Sequence, residues 1–219
     1  MTMPLALAVS LVWALAADGP PREAGPFRPA DLVELVSLDP TIHLDVRYAT
    51  ANNFVGRPVY SEARAFLQRP AAEALVRAHH ALREKGYGLL IFDGYRPWAV
   101  TKTFWDVTKG KQREFVANPK QGSKHNRGCA VDLSLYELSS GREVPMPGAY
   151  DEMSERSDPG YAGGTAEQRA ARDLLRAAME TEGFTVESNE WWHYNYKDWR
   201  SYPILDIPFA AIAPASVRP

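Results

Sequence analysis

Apolar and polar residues trade places along this chain in two rhythms, which predict most of its elements. Ile42, Leu44 and Val46 alternate with His43 and Asp45, the period of a half-buried strand. From 70 to 85 the rhythm lengthens. Pro70 stands in the first turn, Leu75, Ala78 and Leu82 fall on one side, and Gly86 follows, which predicts a helix with a proline start and a glycine stop. The unbroken apolar run 88–92 predicts a buried strand ended by Asp93-Gly94, and 98–107 a second helix. The polar stretch 108–122 reads as a loop. Alternation returns at 130–135, with Ala130, Asp132 and Ser134 on one face and Val131, Leu133 and Leu135 on the other. Thr165 and Gln168 make a capping box for a helix to 182, Gly183 stops it, and 184–186 and 191–196 read as strands. This order predicts the α+β class: a single domain with a central, mainly antiparallel sheet flanked by helices.

Composition narrows the picture. A chain of 219 residues, 45% hydrophobic, can bury a normal core. Its net charge of −2 gives no electrostatic footprint for nucleic acid. One apolar run stands apart, at 5–16, too short to span a bilayer comfortably and ending in the small-x-small pattern Ala14-Leu15-Ala16. It predicts a signal peptide over 1–17, a loose leader over 18–29 and a folded domain over 30–219, hence an exported protein, periplasmic or secreted, with no stable membrane span after cleavage. Met1-Thr2-Met3-Pro4 lacks the basic residue a signal usually carries, so a retained apolar anchor is the alternative. Oligomeric state is left open.

Two short stretches carry candidate chemistry. Ser123-Lys-His125-Asn-Arg-Gly128-Cys-Ala-Val-Asp132 and Glu190-Trp-Trp-His193 together hold two imidazoles and two carboxylates. Two histidines with one carboxylate would leave a zinc ion an open fourth position for water, and the second carboxylate free to take that water's proton. A structural zinc cluster needs more than the single Cys129. A straight strand would point His125 and Asp132 to opposite faces, so the turn-prone Asn126-Arg127-Gly128 must bring them to one side. Trp191 and Trp192 are expected to wall off the site. Taken singly these residues are unremarkable, and His79-His80 reads as an ordinary satisfied pair in a helix; the joint pattern is what points to a metal site.

That pattern resembles the zinc D-alanyl-D-alanine peptidases, and among them the D-Ala-D-Ala dipeptidase branch. Tyr48-Ala-Thr, Asn53-Phe-Val-Gly56, Asp93-Gly-Tyr-Arg96-Pro97, Val144-Pro-Met146 and Asp151-Glu-Met153 are similar to that branch as well, so the resemblance runs from about 31 to 209. It implies a hedgehog/D,D-peptidase-like fold and one Zn2+ per chain held by His125, Asp132 and His193. It implies Glu190 as general base and Arg96 as the cation meeting the developing oxyanion. Ser123, Asp151 and Tyr48 would line a pocket for the small D-Ala-D-Ala substrate, with Asp151 facing its ammonium. The implied activity is hydrolysis of D-Ala-D-Ala in cell-wall peptide turnover. A D,D-carboxypeptidase acting on muropeptide stems is the alternative, and a metal-binding module without catalysis a weaker one, since Glu190 and Arg96 are both present. Cys129 departs from the pattern, and is expected to pack as a small apolar residue.

Overall fold

The computed structural model describes residues 19–213. The signal segment 1–17 lies outside them. Among the described residues no helix is long and apolar enough to cross a membrane.

The central sheet has five strands. They are β2 (His43–Leu44), β4 (Tyr87–Asp93), β5 (Ala130–Glu137), β6 (Phe184–Glu187) and β7 (Glu190–Tyr196), in the spatial order β2-β4-β5-β7-β6. The β4–β5, β5–β7 and β6–β7 pairings are antiparallel, and β2 joins β4 in parallel. The α+β class and the mainly antiparallel sheet are as the hydrophobic pattern predicts. A separate antiparallel pair, β1 (Leu32–Glu34) with β3 (Phe66–Gln68), is an addition that the pattern does not predict. It is followed or preceded by short turns, including the four-residue helix α1 (Leu35–Leu38).

The helices start and stop where capping chemistry predicts. Helix α2 (Arg69–Arg83) carries proline in its first turn, and Gly86 follows at φ +87°. Helix α3 (Trp98–Val107) follows Pro97. Helix α4 (Ala166–Thr181) has both hydrogen bonds of the Thr165/Gln168 box, and Gly183 takes φ +85°. The expected strand over 42–46 shortens to His43–Leu44. Thr41 is held in a turn on Asp39, and the chain bends away at Arg47–Ala49, although Ile42 and Val46 stay buried as the alternation requires.

One face of the sheet makes the main core. Leu89 and Ile91 of β4 and Val131, Leu133 and Leu135 of β5 pack with Leu75 and Leu82 of α2 and Leu175 and Met179 of α4. A second cluster, rich in aromatics (Tyr48, Tyr60, Phe66, Tyr95, Phe104, Phe209), lies apart from it. Among the described residues of the leader, 19–29, none lies in a helix or strand; Arg28 pairs with Asp198 at 3.0 Å, and Glu23 reaches Arg127 and the Ile204 N–H.

Candidate metal centre and active-site cleft

Strand register builds most of the site. Asp93 on β4 stands opposite Asp132 on β5, and Asp132 opposite His193 on β7, so three neighbouring strands present one polar row. His125 joins from the single 3-10 turn His125–Arg127 that leads into β5. Gly128 closes that turn at φ +67°, where a Cβ would sit 2.6 Å from Leu32 Cδ2.

The inward atoms converge. His125 Nε2 and His193 Nδ1 are 3.1 Å apart, and Asp132 Oδ1 lies 3.3 Å from the first and 3.0 Å from the second. The outer ring nitrogens fix what these atoms are. His125 Nδ1 is 2.7 Å from the Gly94 carbonyl, which can only accept, so this nitrogen carries the proton. His193 Nε2 is 2.8 Å from Asn195 Oδ1, and Asn195 turns its amide group the other way to donate to Glu187 at 3.0 Å. With both outer nitrogens donating, two bare imidazole lone pairs and a carboxylate oxygen point at one another in a buried space. Asp132 Oδ1 accepts no hydrogen bond among the described residues. Such a cluster needs a cation at its centre.

A proton can serve. Burial works to lower the His193 pKa, but Asp132 outweighs it and holds the ring up at about 9. The two imidazoles likewise hold the Asp132 carboxyl well below its usual range against the effect of burial. A metal ion serves better, because it satisfies three donors at once. His125, Asp132 and His193 each place a ligand atom within 4.8 Å of the others, and two imidazoles with one carboxylate suit a divalent transition metal with an open position.

Around this point stand the remaining candidates. Glu190 begins β7 just after the Ser188-Asn189 turn, where the ladder shifts register against β6. Its Oε2 is 3.5 Å from His193 Nδ1, and burial pushes its carboxyl up to about 7 against the pull of His193. Arg96 donates from Nε and Nη2 to Asp93 Oδ2 at 2.9 and 2.7 Å, and Asp93 Oδ1 accepts from Tyr60 and from the Gly94 N–H. Burial disfavours the Arg96 cation, yet Asp93 keeps it firmly charged. Asp151 is the one non-glycine residue at positive φ (59°) among the described residues. Tyr48 donates to its carboxylate at 3.0 Å, while burial, and then the charge of Asp132, push its pKa well up. Ser123 Oγ accepts from the His125 N–H at 3.2 Å. Tyr48, Arg96, Ser123, His125, Asp132, Asp151, Glu190 and His193 all line one cleft of about 650 Å³.

Residues 28–210 match the family model described as D-ala-D-ala dipeptidase. The chain is similar to the D-alanyl-D-alanine dipeptidase of Enterococcus faecium, 38% identical over 197 residues, covering 78% of this chain and 96% of that protein. It is also similar to the dipeptidase of Escherichia coli (strain K12), 33% identical over 180 residues, with 82% and 92% covered. The chain belongs to the D-Ala-D-Ala dipeptidase family. It is a metallopeptidase by that membership.

In this family member, several residues beyond the eight singled out in the sequence complete the site. Tyr150 donates to Asp132 Oδ2 at 3.0 Å. Asn126 holds the ligand turn to the Arg96 carbonyl and to Thr101, both at 2.8 Å. Lys124 pairs with Glu187 at 2.7 Å, which offsets the effect of burial and, with Asn195, holds that carboxyl down at about 2. Asn195 was within reach of sequence reasoning, because two residues past His193 on a strand is the same face. Both tryptophans are buried in the main core, and of the two only Trp192 also lines the cleft. The expectation that both wall the site is therefore corrected. Cys129 packs in the same core, and is not among the converging atoms.

Proposed function

We propose that this protein is a zinc-dependent dipeptidase that hydrolyses D-Ala-D-Ala to two D-alanines, exported by its first 17 residues and acting in cell-wall peptide turnover. The observation that carries the metal assignment is the pair of imidazoles whose outer protons are fixed by Gly94 and Asn195, leaving both inner lone pairs beside Asp132 Oδ1. His125, Asp132 and His193 would hold one zinc ion. When bound, zinc supplies Lewis acidity, polarising a carbonyl and bringing the pKa of water to about 7.

The chain's own residues do the rest. Glu190, pushed up to about 7 by burial, is matched to accept the attacking water's proton and to return it to the departing amine. Arg96, kept cationic and aimed by Asp93, meets the negative charge that develops on the carbonyl oxygen. Asp151 is a carboxylate made uncomfortable by burial and by Asp132, so a substrate ammonium beside it relieves both. Tyr48 orients that carboxylate, and Ser123 braces the His125 backbone at the cleft wall.

This arrangement favours a free dipeptide over the D,D-carboxypeptidase reading, because an acylated substrate brings no ammonium to Asp151. The test compares kcat/KM for D-Ala-D-Ala, its N-acetyl form and L-Ala-L-Ala, with and without chelator. Free D-Ala-D-Ala should exceed the acetylated form by at least about a hundredfold, and chelation should abolish the activity. Equal or better cleavage of the acetylated peptide would transfer the assignment to the carboxypeptidase.

A further inference from the structure

Arg127 belongs to the ligand turn, two residues after His125, and its side chain is only 10% exposed. Its guanidinium donates to the Tyr202 carbonyl and to Glu23 Oε1, and lies 5.5 Å from the Trp199 ring centre. Glu23 is the only acidic residue that pairs with it among the described residues. The second Glu23 oxygen accepts from the Ile204 N–H at 2.7 Å, and the next residue, Leu205, donates to the Asn126 carbonyl at 2.9 Å. One carboxylate therefore joins the ligand turn to the segment that braces it. Yet Glu23 lies ahead of residue 28, where the family match begins.

We infer that residues 19–28 are a clasp on the metal-ligand turn, and that Glu23 is a positioning residue for His125. The inference rests on the metal reading above. A nearly dry guanidinium left with only a neutral carbonyl and the Trp199 ring, and no counter-charge, must take up water or swing away. Arg127 also lines the cleft, so its swing drags on a one-turn element that carries His125. Arg28 fixes the far end of the clasp through Asp198 and the Ser201 carbonyl, but touches no residue of the turn.

The test measures zinc affinity of the full chain by competition with a chromophoric chelator, alongside kcat and KM. Glu23→Gln and Glu23→Ala should loosen zinc by about five- to tenfold, less than the roughly 10- to 100-fold lost with a direct partner of a ligand, because Glu23 acts through Arg127. They should lower kcat and leave KM within about twofold. Arg28→Ala, which removes the Asp198 pairing at the other end of the leader and keeps the backbone bond to Ser201, should leave zinc affinity within about twofold. In an Arg127→Met background, which removes the cation, Glu23→Gln should have no further effect on zinc. That pair of variants decides the matter alone if the single Glu23 variants do not fold, and a further loosening there overturns the clasp. Wild-type zinc affinity in both Glu23 variants overturns it too, as does an Arg28→Ala effect equal to theirs. A wild-type chain that binds no zinc overturns the metal reading itself.

Discussion

His79 on α2 and His193 on β7 are both buried, yet their surroundings drive them in opposite directions. His79 Nδ1 accepts from the Leu89 N–H at 3.1 Å, and its Nε2 faces Thr41 Oγ1 at 2.9 Å, whose own proton goes to Asp39. Every polar atom of that ring has a partner, and burial pulls its pKa down to about 4. His193 instead turns its inner nitrogen toward His125, Asp132 and Glu190, and Asp132 raises its pKa to about 9 against the effect of burial. Burial alone therefore does not mark a functional histidine. What marks one is an outer nitrogen tied down while the inner one is left facing other lone pairs.

The severest way to break this contrast is to delete a ligand. His125→Ala or His193→Ala should abolish activity and zinc binding together, whereas His79→Gln should keep both; zinc content and turnover of the three proteins check it. Next in size is the proposed general base. Glu190→Gln should keep zinc and lower kcat by about two to four orders of magnitude, measured at saturating D-Ala-D-Ala. Near-normal turnover would remove Glu190 from the mechanism.

The third prediction sharpens the other side of the comparison. His79 titrates near 4 when folded and near 6.5 when unfolded, so below pH 6.5 the unfolded chain takes up a proton the folded one refuses. Its contribution is fully present above pH 6.5 and drains as pH falls to 4, by about 3 kcal/mol in all. His79→Gln should flatten that part of the urea-stability profile. The smallest expected effect tests how the inner nitrogen is held. Asn195→Ala frees His193 Nε2 and should weaken zinc by about tenfold without changing the ligand set.

Much of this was legible in the sequence, and the reasons it stopped are physical. Helices α2, α3 and α4 and strands β4 and β5 repeat their periods long enough to be read, and the capping box at Thr165 needs only local spacing. The strands β1 and β3, three residues each, are too short to show a period and depend on each other across about thirty residues. The motifs pointed to eight residues that now line one cleft. Asp93 is legible only as the start of the Arg96 stretch, and Tyr150 and Glu187 not at all, because each acts through register or packing and single polar residues carry no spacing of their own. Adjacent tryptophans suggest a shared wall, but neighbours on a strand point to opposite faces, and only Trp192 of the two lines the cleft.

Cys129 is the chain's single thiol, with no solvent exposure, and burial pushes it up to about 12. It directly follows the turn that carries His125. A thiol-specific reagent can reach it only while the core around that turn is open, and no other sulfhydryl contributes to the signal. The labelling rate of this one atom is thus a clock for the opening of the ligand turn, which each ligand bound at the site should slow.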